Sequence, residues 1–412
     1  MKFIADFHIH SKYSRATSKD MDLEHIAEWA KLKGIELMGT GDFTHPLWLS
    51  ELKKKLKPMG NGLFEYNGIK FILTSEVSSI YSKDGKVRKI HNMMIAPSFE
   101  AVDKIVKELG RIANLTSDGR PIMGLPAKGI MEIVMSASPQ AVLIPCHAWT
   151  PWFSIFGANS GFDSIEECFE EYSANIFAIE TGLSSDPAMN WRLSKLDNIS
   201  FVSCSDAHSP AKIGREACVF DTDLSYKAVM DAIKSRDQSK FLYTIEFFPE
   251  EGKYHYDGHR NCGILWSPDE TKKHDGICPK CKRKVTVGVM NRVDSLADRT
   301  VGFDPPHRVP FVNLVPLPEI IGEALEKSPA TKAVDKEYRR LLSHFGSEFK
   351  ILLDIPIEEL VKFSPGKISE GIKRVREGKL SIVPGYDGVY GKINIFNGKE
   401  EHKSVEPQTS LF

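Results

Sequence analysis

Up to about residue 240 the chain alternates between short, unbroken apolar runs and longer amphipathic stretches. The runs KFIADF, IELMGT, IKFILTSEV, HNMMIAP, AVLIPCH, IFAIET and ISFVSCSD have the length and composition of buried strands. Between them, stretches such as LEHIAEWAKLKG and EAVDKIVKELGRIANL place apolar residues at helical spacing, and Gly34 is positioned to close the first helix. Strand–helix alternation of this length predicts an α/β fold with a parallel sheet, open or closed into a barrel.

The pattern changes after Phe248. A turn-rich, short-stranded stretch, PEEGKYHYDGHRNCG to CPKCKRKVTVGVM, is followed beyond Arg292 by mostly helical periodicity in PEIIGEALEK, KAVDKEYRRLLSHFG and SEGIKRVREGK, interrupted by the turn segment VPGYDGVYGKI. The last stretch, NGKEEHKSVEPQTSLF, is polar with an apolar tip. The expected division is residues 1–240, 241–295, 296–400 and a flexible tail, 401–412.

Composition narrows the class. A 412-residue chain exceeds one ordinary core, so two or three domains are expected. With 26% charged residues and a net charge of −1, any nucleic-acid contact must come from local basic patches rather than from the whole field. No apolar run approaches the roughly 20 residues of a membrane helix, and MKFIADFHIH lacks the features of a signal peptide. Of the seven cysteines, Cys146, Cys168, Cys204 and Cys218 are scattered, whereas Cys262, Cys278 and Cys281 cluster. That usage points to a reducing interior with one metal site, and the cytoplasm is the expected compartment.

The candidate chemistry lies at the strand ends. His8 and His10 share a face at i and i+2; Asp42 and His45 follow IELMGTG; Glu76 ends FILTS; His147 ends AVLIPC; Asp206 and His208 follow ISFVSC. These five groups sit at carboxyl ends of apolar runs, where α/β sheets and barrels place active sites, while His91 precedes its run. A lone buried histidine is more often a satisfied core residue than a ligand. Recurrence at successive strand runs argues otherwise: of the seven histidines before residue 210, six fall in these groups once His91 is counted with them. Histidine with carboxylate is the donor set for Zn²⁺, Mn²⁺ or iron, and a carboxylate can bridge two ions.

Together, HxH, GDFTHP, Glu76, the single histidines and SDAH resemble the PHP (polymerase and histidinol phosphatase) family over residues 1–240. The resemblance implies a distorted (β/α)7 barrel holding two or three divalent ions (Zn, Mn or Mg) for phosphoester hydrolysis. It places His8, His10, Glu76 and Asp206 on a first ion, Glu76 with His91 and His147 on a second, and His208 on a third. Asp206 would double as proton acceptor. Two departures stand out. Where many members carry a further ligand after HxH, this chain has Arg15 and Ala16, and its GDFTH leaves that ligand to Asp42, His45 or both, with Asp20 a substitute. Arg15 is then expected to offer positive charge to a phosphate.

His259-x2-Cys262 and Cys278-x2-Cys281 have the spacing of a structural zinc ribbon, with His255 the rival fourth ligand. The cations of KCKRK could meet phosphates. Those of GKISEGIKRVREGK have as their plain reading a solvated helix face. The aromatics of PGYDGVYGKINIF are either core or a stacking surface for bases. At the C-terminus, Gln408, Leu411 and Phe412 resemble the sliding-clamp (PCNA) interaction motif, less its second aromatic.

The combination of GTGDFTHPLW, SDAHSP, YHYDGHRNCG with CPKC, GVMNRVDSLADR and PGYDGVYGKI resembles the endonuclease Q family along nearly the whole chain. That resemblance implies a DNA-repair hydrolase. It would cleave the phosphodiester 5′ of deaminated bases (hypoxanthine, uracil, xanthine) and abasic sites, leaving 3′-hydroxyl and 5′-phosphate ends. Its partners would be damaged DNA (deoxyinosine, deoxyuridine, abasic sites) and a sliding clamp, with one structural zinc in the ribbon. The alternative is a histidinol-phosphatase-like phosphomonoesterase acting on a small metabolite.

Overall fold

The structure, a computed structural model, describes residues 1–364 and 366–396. Each apolar run of the first half forms a strand: Lys2–Asp6, Leu37–Gly39, Ile69–Lys83, Lys86–Ala96, Val142–Pro145, Ala178–Glu180 and Ser200–Val202. Ala217–Asp221 and Phe241–Glu246 add two more. Lys2–Asp6 pairs in parallel with Leu37–Gly39, which pairs in parallel with Ile69–Lys83. The order then reverses. Ile69–Lys83 runs antiparallel to Lys86–Ala96, which runs antiparallel to Val142–Pro145. The sheet is therefore mixed, not parallel as the alternation predicted.

The physical cause is Asp84–Gly85. Both residues have positive φ, 52° and 71°, the geometry of the two-residue turn that matches the twist of a hairpin. It also moves His91 from the start of a strand to its middle, directly opposite Ser78 and diagonal to Glu76.

Side chains alternate across the strands as a period of two requires. Phe3, Ala5, Phe7, Ile72, Met93, Ile144 and Val202 meet in one interior cluster, whereas Met38, Phe71, Leu73, Met94 and Leu143 join the core against the helices. The parallel pair Ala178–Glu180 and Ser200–Val202 is tied in on both sides. Ala148 N–H donates to the Glu180 carbonyl at 2.9 Å, and an isolated bridge joins Ile9 to Ala207. The result is a distorted barrel, with the loops after these strands gathered at one mouth.

The first helix, Leu23–Lys33, follows its sequence signals: Asp22 caps it by accepting from His25 N–H, and Gly34 ends it at φ 85°. The helix expected over residues 100–115 stops earlier, at Leu109, with Gly110 at its cap. In the C-terminal part Leu317–Ala324, Lys332–Phe345 and Lys367–Arg376 form where the periodicity places them, with Ile357–Phe363 in addition.

Packing does not follow the expected divisions. Strand Phe311–Asn313 pairs in parallel with Phe241–Glu246, extending the barrel sheet. Ile320, Leu341 and Ile372 share one continuous core with Ile26, Ala30 and Phe71. Across that joint Lys33 Nζ lies 2.7 Å from Glu348, both nearly fully buried. Glu348 also accepts from Leu317 N–H at 3.0 Å and the Tyr338 hydroxyl at 2.7 Å. A buried ion pair needs such extra hydrogen bonds to offset its desolvation. The segment read as a turn, VPGYDGVYGKI, includes a small hairpin, Ser381–Val383 with Lys392–Asn394, whose tip folds back on the ribbon through the Tyr256–Tyr386 bridge. Among the described residues no helix is long and apolar enough to cross a membrane.

Candidate functional site

The strand-end histidines and carboxylates converge at the barrel mouth. His10 Nε2 lies 3.2 Å from Glu76 and 3.1 Å from Asp206. His8 Nε2 lies 3.7 and 3.8 Å from the same two carboxylates. The other oxygen of Glu76 faces His91 Nδ1 at 2.7 Å and His147 Nε2 at 3.2 Å. Donor atoms of His8, His10 and Glu76 lie within 4.8 Å of one another, as do those of Glu76, His91 and His147, and those of His10, Asp206 and His208.

Three of these atoms, His8 Nε2, His10 Nε2 and Asp206 Oδ1, are buried without a hydrogen-bond partner. Buried polar atoms left unpaired in a cluster of opposite ligand types are what divalent ions satisfy. The donor set fits such ions, with Glu76 placed between two of the groups.

Behind the candidate ligands stands a layer of hydrogen bonds. Glu180 holds His8 Nδ1 at 2.9 Å and also accepts from His147 N–H at 2.7 Å. Asp42 holds His10 Nδ1 at 3.0 Å, and its second oxygen accepts from Ser11 N–H, the Ser11 hydroxyl and the Ser14 hydroxyl. Each carboxylate pins one ring nitrogen and so turns the other toward the centre. Against the cost of burial, Glu180 raises the pKa of His8, and Asp42 that of His10, well above the ordinary value. Burial pushes His91 down to about 4, with Glu76 pulling the other way. Burial also opposes charge on Glu76, yet His91 and Arg120 hold its carboxyl well below the usual range.

Several expectations need correction. Asp42 does not offer a free atom to the centre, because both oxygens are engaged in positioning His10 and the first loop. His45 stacks on Tyr13 with ring centroids 4.4 Å apart, at the cap of helix Pro46–Lys55, and is outside the converging sets. Asp20 is exposed. Arg15 is largely exposed and faces Asp118 at 3.4 Å rather than the ligands. The guanidinium that does reach the centre is Arg120, 3.0 Å from Glu76.

Glu180 and Arg120 were both missed. Glu180 closes the run IFAIE just as Glu76 closes its own, so its signal was present; Arg120 lies in a loop without periodicity and had none. A further feature is conformational: Asp42, His147 and Asp206 have positive φ, 48°, 30° and 46°. Non-glycine residues held there carry strain of about 1–3 kcal/mol that clusters at functional sites. Gly182, φ 62°, packs so closely on His147 that an added Cβ would lie 2.5 Å from the histidine Cβ.

The second cluster joins His259, Cys262, Cys278 and Cys281, with Cys281 Sγ 3.3 Å from His259 Nδ1. His259 and Cys262 flank the turn of hairpin Asp257–His259/Ile264–Trp266. His255 is buried against Tyr256 and outside the cluster, so His259 takes the fourth place. Gln408, Leu411 and Phe412 lie outside the described residues.

Comparison with known proteins places this geometry. A family model described as the MJ0043 C-terminal domain matches residues 316–379. Uncharacterized protein YqxK of Bacillus subtilis is 30% identical over 414 residues, covering 95% of this chain and 99% of that one. Uncharacterized protein MJ0043 of Methanocaldococcus jannaschii is 34% identical over 263 residues, 62% of this chain and 32% of the relative, so the match spans about a third of that longer protein. Among solved structures, the lesion-specific endonuclease PfuEndoQ from Pyrococcus furiosus superposes with a TM-score of 0.86 at 36% identity, covering 97% of this chain and 98% of that one. An endonuclease Q complex with a 27-mer duplex bearing an abasic lesion at the active site gives 0.85 at 36% identity, covering 97% and 99%.

Proposed function

This chain belongs to the endonuclease Q family, and from that premise we propose that it is a metal-dependent DNA-repair endonuclease. Its substrate is duplex DNA carrying a deaminated base or an abasic site, cleaved 5′ of the lesion to leave 3′-hydroxyl and 5′-phosphate ends. The observation that carries the reading is the convergence of partnerless His8, His10 and Asp206 atoms on the Glu76 carboxylate at an open barrel mouth.

His8, His10, Glu76 and Asp206 would hold one ion, Glu76 with His91 and His147 a second, and His208 a third. Such ions supply Lewis acidity toward phosphoryl oxygens and toward water. The protein's own part is positional. Glu180 and Asp42 present the Nε2 atoms of His8 and His10, and Arg120 steadies Glu76 by its charge. Asp206, a quarter exposed at the mouth, is placed to accept a proton from the attacking water. Arg215 holds that loop by donating to the carbonyls of Ser205 and Asp206 at 2.8 and 3.2 Å. His259, Cys262, Cys278 and Cys281 would hold a structural zinc, and Gln408, Leu411 and Phe412 would engage a sliding clamp, a role lost on deleting residues 408–412.

The test is metal-supplemented protein against duplexes with one deoxyinosine, one deoxyuridine or one abasic site, beside p-nitrophenyl phosphate. Nicking 5′ of the lesion that disappears in Asp206→Ala is the expected result. Turnover of the monoester with every duplex left intact would overturn the reading in favour of a phosphomonoesterase.

A further inference from the structure

The loop that follows His147 carries a second feature that the metal centre does not use. His147 Nδ1 lies 3.2 Å from the Thr150 hydroxyl, which donates to the Trp152 carbonyl at 2.9 Å. His91 N–H donates to the Phe153 carbonyl at 3.1 Å, and the Phe153 ring packs 4.8 Å from that of His91. Phe153 has φ 63°, an uncommon state for a bulky residue. Through Thr150 and Phe153 the strained loop thus ties the backbone around Trp152 to two of the candidate ligands, yet leaves Trp152 43% exposed.

Trp152 does not stand alone. Tyr254 meets it edge-on with centroids 5.7 Å apart. Lys253 Nζ lies 5.8 Å from the Tyr254 ring and 5.7 Å from Tyr390, itself 69% exposed. The backbone locks this arrangement: Gly388 N–H donates to the Lys253 carbonyl at 2.9 Å, and Val289 N–H to the Tyr254 carbonyl at 2.8 Å. Three separate parts of the chain therefore present one aromatic ledge beside the metal centre. Among the described residues the cations around it, Lys89, Lys253 and Arg260, form no side-chain ion pair.

Exposed aromatic faces with unpaired cations between them match one ligand chemistry closely: unstacked bases joined by phosphates. A folded protein partner would bury the rings but leave the cations uncompensated unless it were acidic. We infer that Trp152, Lys253, Tyr254 and Tyr390 form a stacking ledge that holds the unpaired nucleotides of a strand whose backbone lies against the metal centre. The inference rests on the phosphodiesterase reading for its polarity, and it assigns the ledge a binding role separable from bond cleavage.

The experiment measures anisotropy of a labelled short single-stranded oligonucleotide titrated with the metal-loaded full chain and with Trp152→Ala, Tyr390→Ala and Trp152→Phe. The alanine variants are expected to bind roughly 5- to 100-fold more weakly, and the phenylalanine variant to keep most of the affinity, because stacking needs only an aromatic face. Melting temperature and metal content guard against misfolding; should Trp152→Ala misfold, the highly exposed Tyr390 carries the test. Unchanged affinity in both folded alanine variants overturns the ledge. KM and kcat on a duplex with one abasic site separate the two proposals. Nicking with unchanged KM in both variants removes the ledge and keeps the nuclease. Ring-dependent binding without any nicking keeps the ledge and removes the nuclease.

Discussion

In the barrel, each of His8 and His10 has a buried carboxylate behind it, Glu180 or Asp42, and the ligands are gathered from residues 8 to 208 by the sheet. In the ribbon, His259, Cys262, Cys278 and Cys281 come from one short stretch, with only Trp266, Cys278 and Val285 as a buried core of their own. The barrel centre rests on an extensive apolar core, so the sheet and its helices carry the folding energy. The ribbon has too little apolar area for that, so an ion held by these four donors would be coupled to its fold. The open site is held from behind and left incomplete in front, as catalysis requires, whereas four protein donors close the ribbon.

This contrast can be broken by substitution. Asp206→Asn should reduce strand cleavage by roughly 10³-fold or more, since a ligand lost at the reacting centre is worth several kcal/mol of transition-state stabilisation. Its melting temperature should stay within a few degrees of the parent. Cys278→Ser should do the reverse. Limited proteolysis should cut within residues 255–290, and one metal equivalent should disappear, while the barrel retains its own melting transition. A ribbon that stays resistant without its ion would remove the distinction.

Smaller changes sharpen it. Glu180→Gln and Asp42→Asn should each weaken metal affinity of the barrel about 10- to 100-fold without abolishing it, by loosening His8 or His10; titration of the metal-free protein reads this directly. A backbone N–H from Arg283 is the leading cause that brings the Cys281 thiol down to about 6, whereas burial first of all pushes Cys262 up to about 11. For a group whose pKa is lowered, the favourable thiolate is retained above the folded value and lost as pH falls through it. In the metal-free chain the Cys281 thiolate should therefore protonate as pH falls through about 6, which the pH dependence of its alkylation would follow.

The histidine set could be read from the chain because every member but His91 sits where an apolar run ends, and the position of a strand end is a local property. Glu180 obeys the same rule, closing its apolar run as Glu76 closes its own. Asp84–Gly85 is likewise a local hairpin signal that goes unused when strand–helix alternation is read as wholly parallel. Arg120 and Arg15 mark the limit. Both lie in loops without periodicity, and only the path of the chain decides that one guanidinium meets Glu76 and the other Asp118.

By itself, then, the sequence determined the residue types, the strand ends that carry them, the spacing of the ribbon ligands and most helix positions, all of which depend on neighbours a few residues away. Tertiary structure alone decided that Asp42 supports a ligand instead of being one, that Glu76 lies between two groups of histidines, and that the C-terminal helices continue the barrel core. These outcomes depend on which side chains meet across tens to hundreds of residues. A carboxylate's role is set by the hydrogen bonds it has already made when it arrives, and no local pattern records them.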